Sequence, residues 1–242
     1  MKTAKLNSRR SAPLPFVLIN MAMTADGKIA TANRLVSSFG SRYDHDHLLR
    51  LRATADAVMA GARTVDSNRV NLGPGAVKYR RLRLRRGLAE FNLRIIVSRA
   101  GTLKSDAEVF RHKFSPIIIL TTRRASAARL KKLRAVAAEV KICGTKEINF
   151  HRALRWLHEK WGIKRLLCEG GGELNDALFR AGLVNELHLT VCPKIFGGRT
   201  APTIADGLGA GSLAQAARLE LQSVRRHGGE MFFVYRVLNR GR

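Results

Sequence analysis

The sequence RLLCEGGGELN, residues 165–175, places an apolar run directly before three consecutive glycines and a helix-like segment. Residues 166–168 are typical of a short buried strand, and Leu174, Ala177 and Leu178 repeat at helical spacing. Glycines tolerate positive φ angles and let a ligand approach the backbone closely. The unpaired amides and positive dipole at the start of a helix favour a phosphate by about 0.3–1 kcal/mol. We therefore predict a strand, a loop and a helix that hold a pyrophosphate.

Two features limit this interpretation. Three glycines also suit a tight strand-to-helix turn that binds nothing. Gly170 and Gly172 have the spacing of a dinucleotide-binding fingerprint, but Asn175 stands where its last glycine belongs. The loop is thus not the usual dinucleotide motif.

The rest of the chain predicts an α/β fold. Apolar runs at 16–23, 57–60, 93–97, 117–120 and 140–143 alternate with helical patterns at 44–54, 126–138 and 150–160. Such alternation predicts a mostly parallel central sheet flanked by helices. Strand-like segments at 186–192, 219–225 and 231–238 follow, and the last two flank a turn at 227–229, which predicts an antiparallel C-terminal hairpin at the sheet edge. We expect a disordered basic tail at 1–13 and a single domain at 14–242.

Ligands of open α/β sheets collect at the carboxyl ends of the strands. We expect five loops to meet there, at 20–28, 61–72, 98–99, 121–123 and 169–175.

The composition is strongly basic. Lys and Arg number 44 against 18 Asp and Glu, which gives a formal net charge of +26. Much of the excess lies at 78–86 and 123–134, where Tyr79 is the single aromatic residue. We interpret both runs as solvated surface and expect only weak, non-specific binding of nucleic acid. Residues 44–47 (DHDH) resemble a metal cluster, but side chains two positions apart on a helix diverge, so we predict no metal site.

The cellular location is predicted from what the chain lacks. Its apolar runs are all much shorter than a membrane span, and Cys143, Cys168 and Cys192 are odd in number and lie in apolar surroundings. We expect a cytoplasmic protein with reduced, buried cysteines and no membrane association.

Six segments in fixed order resemble the pyrimidine reductase of riboflavin biosynthesis. They are NMAMTADGKIA at 20–30, LRA at 51–53, GARTV at 61–65, EGGGEL at 169–174, AGLVNE at 181–186 and PKIFGG at 193–198. The resemblance implies a dihydrofolate reductase-like fold and a homodimer. It also implies NADPH-dependent hydride transfer to C1′ of the ribose of a phosphorylated ribosylaminopyrimidine, giving a ribitylamino product. The zinc deaminase segment of bifunctional relatives is missing from this sequence, so we expect a stand-alone reductase.

The resemblance also implies the site residues. It places cofactor contacts on Ala22, Ser38, Thr64, Asn68, Ser98, Gly170, Gly171, Gly172, Glu173 and Leu174. It places substrate contacts on Asn20, Asp26, Arg52, Leu72 and Glu169, with Glu169 and Asn20 as the catalytic pair. Glu169 would stabilise a developing positive charge and Arg52 would bind the substrate phosphate. Glu169 as a cap of backbone amides and Asp26 as a turn former are the alternatives.

The choice of NADPH over NADH is predicted from two loops. Ser98 and Arg99 follow one strand, and Thr121 and Arg123 follow the next, with no acid in either loop. Hydroxyls and cations without an acid favour the 2′-phosphate of NADPH.

Two departures from the family pattern affect the substrate pocket. Asn68 replaces an acid of the family, and Ser37-Ser38-Phe39 replaces an aromatic followed by a Thr/Ser pair. A reductase of another pterin- or pyrimidine-like compound, such as dihydrofolate, is therefore one alternative. A non-catalytic nucleotide- or nucleic-acid-binding protein is the other.

Overall fold

The computed structural model describes residues 13–34, 39–67 and 70–238. Its strands are β1 (Phe16–Thr24), β2 (Ala57–Gly61), β3 (Leu93–Val97), β4 (Ile117–Thr121), β5 (Glu139–Ile142), β6 (Arg165–Cys168), β7 (Glu186–Cys192), β8 (Arg218–His227) and β9 (Glu230–Leu238). Its helices are α1 (Arg42–Arg52), α2 (Ala62–Ser67), α3 (Val77–Arg85), α4 (Glu108–Arg111), α5 (Ala127–Val136), α6 (Phe150–Trp161) and α7 (Gly172–Arg180).

The described strands form one sheet in the order β5-β4-β3-β2-β6-β1-β7-β9-β8. The first seven strands in the chain pair in parallel, whereas β9 pairs antiparallel with β7 and with β8. The predicted fold class is confirmed, including the hairpin at the edge. Since β6 returns to lie between β2 and β1, its carboxyl end opens at the centre of the sheet.

Alternate side chains of the strands fill two cores, one on each face of the sheet. Ile19, Met59 and Cys168 belong to the core covered by α6 and α7. Leu18 and Val58 belong to the opposite core, which includes side chains of α1 and α5. The strands are apolar on both faces because both faces are covered.

Capping residues mark the ends of some of the helices that cover the sheet, among them α1 and α6. Ser41 and Asn149 accept hydrogen bonds from amides of the first turns of α1 and α6, respectively. Gly162 ends α6 with a φ of 65°, a conformation that glycine adopts without steric cost. The helices are therefore delimited by local sequence as well as by packing.

The structure corrects two interpretations of the sequence. The expected loop at 61–72 contains α2, and the basic run at 78–86, which was interpreted as solvated surface, lies largely in α3 and includes a buried arginine. Within α3, Arg83 is 1% exposed because its guanidinium donates to the carbonyls of Arg52, Ala55 and Ala89. This arginine is a structural residue and not part of a solvated cationic patch.

Candidate active site

The candidate site lies where β2, β6 and β1 end at the centre of the sheet. Cys168 of β6 pairs with Met59 on one side and with Ile19 on the other. Glu169 therefore comes level with Asn20, which lies within β1 and not in the loop after it. Asn20 is 8% exposed and faces the α1 side, as does Leu18 two residues earlier.

A buried ion pair joins Glu169 to α1. The Nε and Nη2 atoms of Arg52 donate to the two carboxylate oxygens of Glu169 at 2.5 and 2.6 Å, and Nη1 donates to the carbonyl of Gly73 at 2.6 Å. The side chains are 9% and 11% exposed. Such a bidentate pair fixes the carboxylate in position and orientation. The sequence placed both residues on the substrate side but gave no signal that they contact each other.

The glycine turn has a conformation that side chains disfavour. Gly170 has a φ of 79°, and Gly171 has a φ of 53° with a ψ of 146°, a region that essentially only glycine occupies. The amide of Gly61 donates to the carbonyl of Gly170 at 2.9 Å, which ties the turn to the end of β2. A Cβ on Gly171 would lie 3.2 Å from the hydroxyl oxygen of Thr64. The predicted strand, loop and helix are confirmed, and Thr64 lies beside the turn.

The third glycine, Gly172, allows close packing against another loop and does not leave space for a ligand. A Cβ on Gly172 would lie 2.7 Å from the carbonyl oxygen of Thr203 and 2.9 Å from the amide nitrogen of Asp206. Asn175, the residue that replaces the last glycine of the dinucleotide motif, donates from Nδ2 to the carbonyl of Ile204 at 2.8 Å. The loop around 203–206 thus lies against the start of α7, a contact that the sequence did not reveal.

The side chains that flank the turn differ in exposure. Leu174 is 6% exposed and belongs to the core on the α7 side. Glu173 is exposed and forms an ion pair of 3.1 Å with the exposed Arg63 of α2. Ala22 is half-buried in β1, where it pairs with Thr190 of β7. The cationic Arg63 therefore adds positive charge next to the helix start, and Glu173 partly neutralises it.

Two predicted substrate residues have structural roles. Asp26 is exposed and accepts hydrogen bonds from the Thr24 hydroxyl at 2.5 Å and from the amide of Gly197 at 2.7 Å. The Thr24 hydroxyl is the main cause of the lowered pKa of Asp26. Leu72 is 1% exposed with a φ of 56°, and its carbonyl accepts from Asn92. The turn-forming alternative for Asp26 agrees with this geometry.

An acid from a third loop lies beside the two loops predicted to recognise the 2′-phosphate. Arg99 donates to Glu147, which lies after β5, at 2.7 Å. Thr121 is fully buried and its hydroxyl donates to the carbonyl of Arg99 at 3.3 Å. Ser98 is 3% exposed and its hydroxyl accepts from the amide of Thr102. Arg123 is exposed. The sequence missed Glu147 because the acid belongs to a third loop, 48 residues after Arg99.

Ser38 and Asn68 lie outside the described residues. Within the described ranges, no group of three or more His, Cys, Asp or Glu residues is placed to hold a metal ion. The three cysteines are buried and free of disulfides, and burial raises the pKa of Cys168 to about 12. Each helix in the described part of the chain is too short or too polar to span a bilayer.

Comparison with known proteins agrees with these features. The family model described as RibD C-terminal domain matches residues 15–233. This chain belongs to that family. The resemblance noted in the sequence is thereby confirmed. A reductase from Methanothermobacter thermautotrophicus, named 2,5-diamino-6-ribosylamino-4(3H)-pyrimidinone 5′-phosphate reductase, is 34% identical over 92% of this chain and 98% of its own length. A reductase of the same name from Aquifex aeolicus is 30% identical over 93% and 98%.

Solved structures of this family share the fold. A pyrimidine reductase-like protein from Corynebacterium diphtheriae superposes with a TM-score of 0.75 at 24% identity, over 93% of this chain and 92% of that one. RibD from Acinetobacter baumannii gives a TM-score of 0.72 at 18% identity over 93% of this chain. The chain spans 58% of the length of that RibD. These likenesses confirm the predicted architecture.

Proposed function

We propose that this chain transfers hydride from NADPH to C1′ of the ribose of a phosphorylated amino-ribosylaminopyrimidine, which opens the ring to a ribitylamino product. The chain is an oxidoreductase of the pyrimidine reductase type, as its family and its relatives of matching length indicate. The observation that carries the proposal is the Gly170–Gly171 turn directly beside the buried Arg52–Glu169 pair. A phosphate-binding turn and a fixed carboxylate at one point of the sheet suit a cofactor-dependent reduction.

The glycine turn fits a dinucleotide phosphate. The amides of Gly172 and Glu173, the first two of α7, have no acceptor within the helix, and they lie at the positive end of the helix dipole. The turn is fixed by its hydrogen bond to Gly61 and flanked by Thr64 and Arg63. NADPH supplies the hydride, and the protein contributes position and charge.

We assign Glu169 the electrostatic role. Hydride acceptance at C1′ passes through a state with positive charge on the carbon and its nitrogen, and a fixed carboxylate stabilises that charge. Arg52 holds the carboxylate, and three of its five N–H groups are taken up by Glu169 and Gly73. We therefore propose Arg52 as a positioning residue, which revises its sequence-based role as phosphate ligand.

We further propose a cytoplasmic homodimer. Every residue of β8 is exposed except the half-buried Ser223, and Leu219, Leu221 and Val224 are 42%, 52% and 46% exposed. A long edge strand that exposes several large apolar side chains is typically covered by another chain. Buried, unpaired cysteines suit a reducing compartment. Light scattering should give twice the chain mass for the wild type and less for Leu221→Glu, whereas a monomeric wild type would contradict the dimer.

The decisive assay for the function is NADPH oxidation by purified protein with three substrates. They are the 2,5-diamino-pyrimidinone ribosylamino phosphate, the corresponding 5-amino-uracil compound and dihydrofolate. We expect oxidation with one or both ribosylamino compounds and none with dihydrofolate. Activity with dihydrofolate alone, or with none of the three, would overturn the proposal.

A further inference from the structure

A row of three polar side chains crosses the centre of the sheet at one level. Asn20 of β1 comes level with Glu169 after β6, and it pairs directly with His188 of β7. Residues that are level in parallel strands point to the same face, so all three face α1. This arrangement agrees with the contacts of α1, in which Arg52 binds Glu169 and the ring of His47 lies 5.3 Å from that of His188.

Two atoms of this row are buried without a partner. Neither Oδ1 of Asn20 nor Nδ1 of His188 has a hydrogen bond to any described residue, and both are inaccessible to solvent. The residues are each 8% exposed. Buried polar atoms are nearly always hydrogen-bonded in native proteins, so an unpartnered one needs an explanation such as a ligand, a water molecule or an ion. Two such atoms on adjacent strands, next to the proposed catalytic carboxylate, point to a ligand that supplies the missing partners.

The other ring nitrogen of His188 defines what kind of partner is missing. Nε2 lies 2.7 Å from a carboxylate oxygen of Glu186, and this hydrogen bond is the main cause of the lowered pKa of Glu186. An ionised carboxylate only accepts, so Nε2 carries the hydrogen. In the neutral imidazole, Nδ1 is then an acceptor, as is the amide oxygen of Asn20. The row therefore presents two adjacent acceptors.

We propose that Nδ1 of His188 and Oδ1 of Asn20 together accept hydrogen bonds from the substrate, which makes His188 a substrate-binding residue beside Glu169. The inference rests on the proposed function for the identity of the substrate. The chemistry required is a pair of N–H or O–H donors. A phosphorylated ribosylaminopyrimidine offers such donors on its amino groups and on its ribose hydroxyls.

Three substitutions of His188 test the assignment. Asparagine retains a polar atom where Nδ1 lies, glutamine retains one where Nε2 lies, and phenylalanine keeps only the ring shape. We expect His188→Gln and His188→Phe to raise KM for the pyrimidine about tenfold, since each leaves the substrate donor without its acceptor. We expect His188→Asn to stay within about threefold of the wild type. KM for NADPH should change less than about twofold in all three.

The three variants distinguish a substrate-binding role of His188 from a structural one. A purely structural His188 would act through the hydrogen bond from Nε2 to Glu186, so the glutamine variant would be the milder of the two and the asparagine variant the more impaired. That order, or an equal change in the KM values for the pyrimidine and for NADPH, would overturn the inference. Should His188→Phe fail to fold, the asparagine and glutamine variants still decide. A wild type that reduces only dihydrofolate would overturn the proposed function and this inference with it, whereas an active wild type with unaffected variants would overturn the inference alone.

Two substrates distinguish the sources of the donors. The diaminopyrimidinone carries an amino group where the uracil compound carries an oxygen. If that amino group meets His188, the glutamine variant loses affinity for the diaminopyrimidinone only. If ribose hydroxyls meet His188, affinity for both compounds falls equally. Either pattern supports the inference, and no loss with either compound contradicts it.

Discussion

The Arg52–Glu169 pair makes the sharpest prediction about stability and activity. Glu169→Gln keeps the size of the side chain and removes its charge. The wild-type carboxylate receives two short hydrogen bonds from Arg52, of 2.5 and 2.6 Å, with both side chains about nine-tenths buried. The amide accepts one of these hydrogen bonds and presents its own donor to the other guanidinium nitrogen. The arginine thus remains buried without a counter-charge.

The loss of stability in Glu169→Gln follows from the burial of the ion pair. Removing one partner of a buried ion pair costs about 3–5 kcal/mol. Because glutamine retains one acceptor, we expect the free energy of unfolding to fall by about 2–3 kcal/mol. For a domain of this size that corresponds to a lower Tm by roughly 4–12 °C. Urea denaturation measures the free energy and calorimetry measures Tm.

A matched control lies on the same glycine turn. Glu173→Gln disrupts the pair with Arg63, whose side chains are 65% and 63% exposed. Exposed pairs contribute about 0–1 kcal/mol, so this variant should unfold almost like the wild type. The two variants make the same chemical change and differ in burial.

The same substitution should impair catalysis. Loss of a preorganised charge that stabilises the transition state typically lowers kcat about 100- to 1,000-fold. We expect this loss for Glu169→Gln, with KM for NADPH nearly unchanged, and a much smaller loss for Glu173→Gln. A folded Glu169→Gln protein that keeps kcat within tenfold, or that is no less stable than Glu173→Gln, would refute the assigned role.

Three further predictions concern the cofactor and pH. Gly171→Ala should weaken NADPH binding at least tenfold by calorimetry, because the backbone conformation at Gly171 excludes a side chain. The control is Gly182→Ala, also at a positive φ but with open space around it, which should bind NADPH normally. Arg99→Ala should lower the NADPH-to-NADH ratio of kcat/KM about threefold. Glu147→Gln should raise this ratio, because it frees Arg99 from its ion pair. A ratio equal to that of the wild type in both variants would exclude these residues from recognition of the 2′-phosphate. Burial is the main cause that lowers the pKa of His47 to about 4. The unfolded chain therefore takes up a proton first, and stability falls as pH drops from about 6.5 to 4. His47→Phe should remove part of that fall, measured by urea denaturation across this range.

The sequence predicted the fold because its signals were local. Apolar runs with turn residues at their ends gave nearly all strands within two residues, and Gly228 occurs in the hairpin turn as expected. It missed α3 because arginine and lysine dominate that segment and hide its periodicity. Burial of Arg83 depends on carbonyls at the end of α1 and just beyond it, which no local pattern reveals.

The sequence predicted individual site residues but not which of them contact each other. The glycine turn is visible in the sequence because glycine is the residue that tolerates such backbone angles. The Arg52–Glu169 pair joins residues 117 positions apart, and Glu147 reaches Arg99 from another loop. His188 was missed because a lone histidine in an apolar strand carries no pattern. Its proximity to Asn20 is a consequence of strand order.

Hydride transfer from NADPH to C1′ of the ribosylamino substrate can be followed with an isotope label. The direct measurement uses NADPH deuterated at the transferred position of C4, with mass spectrometry and NMR of the pyrimidine product. We expect a ribitylamino product that carries one deuterium at C1′. A product without deuterium, or deuterium in a reduced pterin and none in the ribityl chain, would contradict it.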